Sequence, residues 1–268
     1  MNASATTWRF LMPTPKMSFA RRAAMLAVLL ILVVALAGCR EPEAPTPASP
    51  STSAGATMSA AAAPGRVQLG DAPAYISLAA TDVTVRAEPG GDWVVAVFPA
   101  KLPWGSPTPF LVRRAQRDDA GVTWFQAYLP RRPNGSSGWI RGDQVRLRPA
   151  PNEVIVDLSS RTARLLRGWP VGIGQDQTPT PTGRFYLTVK LRPPQISSVY
   201  GAWALGISGC SDVLEQFGTG DGQIALHGTN DLGDLGQKVS NGCVRMTNGV
   251  ITSLAETLPL GTPVTIRS

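Results

Sequence analysis

Apolar and polar positions along the 268-residue chain are arranged in three different ways, and each predicts a different kind of structure. Residues 23–38 form an unbroken apolar run directly after Arg21 and Arg22, with no charge inside it. The run falls short of the roughly 20 residues that a bilayer-spanning helix needs, and has the length and basic flank of a secretion signal. Residues 40–63 are mainly Pro, Ala, Ser and Thr with hardly a large apolar side chain. Such a segment cannot bury enough surface to offset its chain entropy, so a disordered tether is expected over 39–70. From about Tyr75 onward the pattern changes to short β segments. Val83-Thr84-Val85-Arg86 alternates and runs into the turn signal Glu88-Pro89-Gly90-Gly91. Further strands are predicted at 93–98, 110–112, 124–129 and 138–140, with Pro133-Asn134-Gly135 marking a turn. Closely spaced short strands of this kind predict a small antiparallel barrel over 71–150.

After Pro149-Ala150-Pro151-Asn152 a second domain is predicted over 151–268. Residues 154–158 and 162–166 read as a hairpin around Ser159-Ser160-Arg161, and 185–189, 224–226 and 263–266 as further strands. Val250, Ile251, Leu254 and Leu258 share one face of a helix predicted over 248–258. The expected fold class is mainly β: a small barrel followed by a β-rich domain with one or two short helices. The 27 Gly and 24 Pro agree with many turns and disfavour a long helical bundle.

The apolar run ends Leu36-Ala37-Gly38-Cys39. Small residues directly before a cysteine resemble a bacterial lipobox, which implies that residues 1–38 are a signal peptide and that Cys39 is lipidated. The chain would then be an exported lipoprotein, held at the membrane and facing the cell wall. A cysteine standing incidentally at the end of an uncleaved anchor is the alternative, and the long stretch before Arg21 leaves Met17 open as the start. Removing 1–38 takes away Arg9, Lys16, Arg21 and Arg22 and no acid, so the formal charge of +7 falls to +3. That excess is too small to point to nucleic acid, although a mild attraction to anionic envelope polymers remains.

Chemistry gathers around one histidine and one cysteine. His227 is the only histidine in the chain, at the end of Gln223-Ile224-Ala225-Leu226, and Cys243 follows sixteen positions later. A lone histidine is by default a surface or satisfied core residue, and a single imidazole without a carboxylate cluster argues against a catalytic zinc. A thiol becomes a useful nucleophile as the thiolate, and a neighbouring imidazole can take its proton. Gly242 permits a sharp turn that exposes the sulfur and aims main-chain N–H groups at a developing oxyanion, while Arg245 adds positive charge. Cysteine arithmetic keeps another option open. With Cys39 lipidated, Cys210 and Cys243 are left, and they could form a disulfide, structural or reversible. Cys210 in Gly209-Cys210-Ser211-Asp212 is also a competing thiol. Tyr200, Trp203 and Phe217 could line a peptide groove or simply pack in the core.

The sequence His227-Gly228-Thr229 followed by Ser240-Asn241-Gly242-Cys243-Val244-Arg245-Met246 resembles the signature of the YkuD-type L,D-transpeptidases. Thr180-Pro181-Thr182-Gly183-Arg184-Phe185 and Gly206-Ile207-Ser208-Gly209 resemble stretches found upstream of it. The likeness runs from about Asn152 to Arg267. The order Val-Arg-x-x-Pro-Gly, then Trp124-Phe125 before Gly138-Trp139-Ile140, is similar to bacterial SH3-like domains, which bind cell-wall peptides in other proteins or serve as spacers.

The resemblance implies that Cys243 is the nucleophile and His227 the general base and later general acid. It implies that the Gly228 carbonyl orients the imidazole, and that Gly242 and Cys243 supply oxyanion donors. Arg245, Asn241, Ser240 and Thr229 fall on substrate-binding positions, Arg245 alternatively on a supporting one. Asn241 departs from the pattern, since histidine is frequent there, and an asparagine cannot shuttle protons. The implied activity is peptidoglycan L,D-transpeptidation: a thioester acyl-enzyme on a donor stem peptide, resolved by an acceptor stem into a 3-3 cross-link during cell-wall biogenesis. No cofactor or metal is implied, and carbapenem-type β-lactams are implied covalent inhibitors. Water as acceptor would make the site an L,D-carboxypeptidase, and a protein lysine would make it a protein-to-wall anchor. A non-catalytic peptidoglycan-binding lipoprotein is the rival of another class. A papain-type protease would place its cysteine before its histidine, the reverse of the order here.

Overall fold

The computed structural model describes residues 64–194, 199–216 and 221–268. The predicted signal peptide, Cys39, most of the predicted tether and Phe217 lie outside the described residues. Eight strands form the first sheet: β1 (Gly65–Val67), β2 (Ala74–Ala79), β3 (Val83–Arg86), β4 (Val94–Phe98), β5 (Pro109–Arg117), β6 (Thr123–Tyr128), β7 (Ser137–Arg141) and β8 (Val145–Ala150). All its pairings are antiparallel, in the order β4-β3-β7-β6-β5-β2-β8, with β1 added beside β5. Alternation explains the curl of this sheet. Val83, Val85, Phe110, Phe125, Ile140 and Val145 come from strands spread across the ladder, yet they pack into one buried cluster. The sheet must therefore bend around its own apolar face.

A strand, β1, stands inside the 39–70 span expected as a tether. Gly65, Arg66 and Val67 pair with Arg117, Gln116 and Ala115, because Val67 and Leu69 find apolar partners on the first core. The apolar content of those two positions outweighs the polar composition around them.

The second sheet is mixed. Its strands are β9 (Val154–Asp157), β10 (Thr162–Arg164), β11 (Gly168–Pro170), β13 (Gly183–Leu191), β14 (Ala204–Cys210), β15 (Gln223–Thr229), β17 (Val244–Thr247) and β18 (Pro263–Arg267), while β12 (Ile173–Gly174) and β16 (Lys238–Ser240) form a separate parallel pair. The order is β11-β10-β9-β18-β13-β14-β15-β17. Two neighbouring pairs in it are parallel, β9 with β18 and β15 with β17. The one α-helix among the described residues, α1 (Asn248–Thr257), returns from β17 and packs on β15 and β17. Thr247 caps it, its hydroxyl accepting from the Val250 N–H, and Ile251 and Leu254 are buried with Leu258 just past its end. Two short 3-10 turns, Gly142–Gln144 and Leu232–Asp234, complete the helical content of the described residues.

The Gly206-Ile207-Ser208-Gly209 stretch is the interior of β14, a strand that its two glycines hide from a propensity reading. A Cβ at Gly206 would lie 2.6 Å from Val189 Cγ1, and one at Gly209 would lie 2.6 Å from the Phe185 ring. Close approach of β13 to β14 therefore requires both glycines. The two sheets belong to one compact unit, Thr57–Ser268. Tyr186 of β13 is fully buried in a cluster with Ala74, Ile76, Leu111 and Ala150 of the first sheet. Its hydroxyl donates to the Tyr128 carbonyl at 3.3 Å.

Candidate active site

Parallel pairing of β15 with β17 places the histidine and the cysteine side by side. Leu226 is opposite Val244, and His227 is opposite Arg245. Cys243 therefore enters β17 beside Ala225 of β15. Parallel neighbours need a long connection, which the segment through residues 230–243 supplies. His227, Cys243, Asn241, Ser240 and Arg245 line one cleft of about 220 Å³ together with Tyr200, Ser211, Leu214 and Gly222.

The imidazole is held from three directions. Nδ1 lies 2.8 Å from the Gly228 carbonyl, an oxygen that can only accept, so Nδ1 carries the proton and Nε2 is the free base in the neutral ring. The Tyr200 ring meets the imidazole edge-on, with 5.3 Å between centroids. The Gly228 N–H is shared between the Tyr200 carbonyl (3.0 Å) and the Trp203 carbonyl (3.1 Å). Gly228 must lack a side chain, because a Cβ there would meet Asn248 Oδ1 at 2.2 Å. That oxygen accepts the Ala202 N–H at 2.8 Å and pins the Tyr200–Trp203 turn to the start of α1. Burial, first among the causes, drives the His227 pKa down to about 4, and the Arg245 cation pushes the same way.

The turn carrying the thiol is internally braced. The Ser240 hydroxyl donates to the Cys243 carbonyl at 2.5 Å and accepts the Gly242 N–H at 3.1 Å. Gly242 sits at φ +109°, and a Cβ there would press on Ile224 Cδ1 at 2.9 Å, so glycine is needed for both reasons. The stretch around Thr180 supports the turn from outside. The Thr180 hydroxyl accepts the Gly174 N–H at 2.8 Å, and the Gln175 N–H donates to the Ser240 carbonyl at 2.9 Å. Asn241 Oδ1 accepts from Gln175 Nε2 at 3.4 Å. Burial is the largest influence on Cys243 and raises its pKa, against the lowering effects of the Ala225 main chain and Arg245. Burial thus favours the neutral form of both the thiol and the imidazole.

Arg245 and Thr229 turn out to share a partner that the sequence did not single out. Asp234, itself buried, accepts from Arg245 Nη1 at 3.1 Å and from the Thr229 hydroxyl at 2.5 Å. Thr229 is spent on this contact and is not among the residues lining the cleft. Arg245 lines it, and its buried Nε has no hydrogen-bond partner. Ser240 lines the cleft, but its hydroxyl serves the turn. Trp203 packs against the second core. Cys210 is buried on β14, and Cys210 and Cys243 are both free thiols. Among the described residues no three His, Cys, Asp or Glu side chains gather into a metal-sized cluster.

A thiol and a carbonyl-oriented imidazole on adjacent parallel strands, open to one cleft, define a site suited to nucleophilic acyl chemistry. The chain belongs to the YkuD family of L,D-transpeptidases. The family's pattern, described as the L,D-transpeptidase catalytic domain, matches residues 151–266. The chain is 30% identical over 153 residues to "Putative L,D-transpeptidase YkuD" of Bacillus subtilis (strain 168), covering 53% of this chain and 85% of that one. It is 32% identical over 146 residues to "Putative L,D-transpeptidase YqjB" of the same organism, covering 53% of this chain and 81% of the relative. Among solved structures, L,D-transpeptidase 3 from Mycobacterium tuberculosis in complex with a faropenem-derived adduct is 14% identical. That match covers 52% of this chain and 76% of the other at a TM-score of 0.36, too loose to bear on the chemistry here.

Proposed function

We propose that this protein is a peptidoglycan L,D-transpeptidase that forms 3-3 cross-links through a thioester on Cys243. The observation that carries the reading is the His227 tautomer. With Nδ1–H tied to the Gly228 carbonyl, Nε2 is a free base on the strand beside the one Cys243 enters. Nε2 takes the thiol proton as Sγ attacks the carbonyl carbon of the L-centred diamino acid at position three of a tetrapeptide stem. The carbonyl π electrons move to oxygen. The N–H groups of Gly242 and Cys243 receive that oxyanion, and Gly242 exchanges its Ser240 hydroxyl acceptor for it. Collapse breaks the C–N bond, and His227 passes its proton to the departing D-alanine amine. The side-chain amine of a second stem, deprotonated by His227, then attacks the thioester, and sulfur leaves to regain its proton. Arg245 and Asn241 border the cleft and meet the polar groups of the substrate there. Ser240 and Thr229 act by holding the turn and Asp234. A lipid anchor at Cys39 and an SH3-like role for 71–150 belong to the same proposal and would place the site at the outer face of the membrane.

The test is conversion of purified tetrapeptide muropeptides, followed by mass spectrometry. A 3-3 cross-linked dimer that disappears in Cys243→Ser while wall binding persists supports transpeptidation. Release of D-alanine with no dimer would reassign the site to an L,D-carboxypeptidase, and full wall-related function in Cys243→Ser would remove the enzyme reading.

A further inference from the structure

One turn of the first sheet reaches residues that line the cleft. Between β6 and β7 the chain reverses around Pro133, and the side chains of Arg132 and Asn134 leave that turn toward the segment joining β14 to β15. The Arg132 guanidinium donates to three main-chain carbonyls: Ser211 through Nη1, and Leu214 (2.8 Å) and Asp221 (3.0 Å) through Nη2. Asn134 pairs with the Cys210 main chain in both directions, Nδ2 to the carbonyl at 2.7 Å and Oδ1 from the N–H at 2.9 Å. Its Nδ2 also reaches Asp212 Oδ1 at 2.9 Å.

These contacts matter because the described residues they hold, within 211–216 and 221–222, form a wall of the cleft. Ser211, Leu214 and Gly222 line it together with Cys243 and His227. Among its described residues, the bonds internal to the wall gather at Ser211. The Ser211 N–H closes its base on the Gly222 carbonyl at 2.8 Å, and the Ser211 hydroxyl accepts from the Val213 and Leu214 N–H groups. Gly222 sits at φ +76°, and a Cβ there would fall 2.2 Å from the Leu214 carbonyl and 2.8 Å from Arg132 Nη2. A glycine stands where the guanidinium enters. Three carbonyl oxygens converging on one point repel each other unless a cation with several fixed donors sits between them. A guanidinium supplies that fork, whereas an ammonium supplies a point charge. Arg132 takes no part in the thiol–imidazole chemistry.

Size decides what this wall is for. An extended tetrapeptide spans about 13 Å, at roughly 3.4 Å per residue, so it must run along a wall beyond the sulfur. A small bicyclic acylating agent needs only the sulfur end. Resting on the functional reading above, we propose that Arg132 is a specificity-determining positioning residue. By fixing the Ser211–Leu214–Gly222 wall it selects extended stem peptides as donors, which makes the first sheet part of the substrate site.

Full-length wild type, Arg132→Lys and Asn134→Ala are compared for tetrapeptide donor turnover and for the rate of Cys243 acylation by a carbapenem. The expected result for Arg132→Lys is a KM for the tetrapeptide raised about tenfold or more, with kcat and carbapenem acylation within about threefold of wild type. Asn134→Ala should move in the same direction by less, and it carries the test if the Arg132 variant fails to fold. An unchanged tetrapeptide KM in both variants would overturn the proposal. So would an equal loss in both reactions, the signature of a general structural prop. Absence of tetrapeptide turnover by wild type, with acylation intact, would instead overturn the functional reading and this inference with it.

Discussion

His227 and Gly242 carry the most exposed commitments at the scale of single residues. Burial lowers the His227 pKa to about 4, so the imidazole is neutral and basic over most of the physiological range. The acid limb of kcat/KM, which reports the free enzyme, should therefore fall near pH 4 and not near the ordinary 6.5. A pH–rate profile with its acid limb at 6.5 would contradict the buried, carbonyl-bound geometry. The same shift has a sign in stability. The unfolded chain binds the proton at 6.5 and the folded one only near 4, so the stability of the neutral-histidine state is whole above 6.5. It erodes as pH falls from 6.5 toward 4. Gly242→Ala should cost about 1–3 kcal/mol for the positive φ alone, with the contact to Ile224 added. Carbapenem acylation of that variant should drop at least tenfold, and a variant of unchanged melting temperature and reactivity would refute the turn's role.

Elements explain why some of this was legible and some was not. The histidine and cysteine stand out in sequence because their types and spacing announce chemistry, and β15 reads as a strand from Ile224 and Leu226. What joins them is a parallel β15–β17 pairing, a long-range fact that local propensity does not encode. Neither β17 nor β14 is among the strands that local pattern predicts, and the β14 glycines exist for close packing against Val189 and Phe185. Asp234 escaped notice for the same reason. Its loop reads as Asp- and Gly-rich surface, and only folding shows the carboxylate beside Arg245 and Thr229. Thr229, aligned with the motif, was expected at the substrate and instead serves Asp234. Asp234→Ala should leave the Arg245 cation without its carboxylate. Breaking a buried pair costs about 3–5 kcal/mol, and the partial exposure of Arg245 reduces this to about 1–3 kcal/mol. Thermal denaturation at neutral pH checks it, and a loss under a few tenths of a kcal/mol would mean that the network contributes nothing.

At the scale of the whole molecule the two predicted domains share a core. Tyr186 is buried among first-sheet residues, and a Cβ at Gly261 would strike Ile76 at 2.2 Å, so the sheets are pressed together without a gap. The change in pattern near residue 150 marks where one sheet gives way to the next. It does not reveal which surfaces face each other, although β13 carries five consecutive buried positions, 185–189, the mark of a strand covered on both faces. The protein should therefore unfold in one cooperative transition. Tyr186→Ala should lower its stability by about 3–5 kcal/mol while keeping a single transition. Two separated calorimetric transitions in wild type would show that the interface is weak.

The central claim is that Cys243, and not Cys210, is the nucleophile. Intact-mass analysis of the purified protein after mixing with a carbapenem tests it most directly. One covalent adduct should form on wild type and on Cys210→Ala and should be absent from Cys243→Ala. An unmodified wild-type mass, or an adduct that survives Cys243→Ala, would contradict the account.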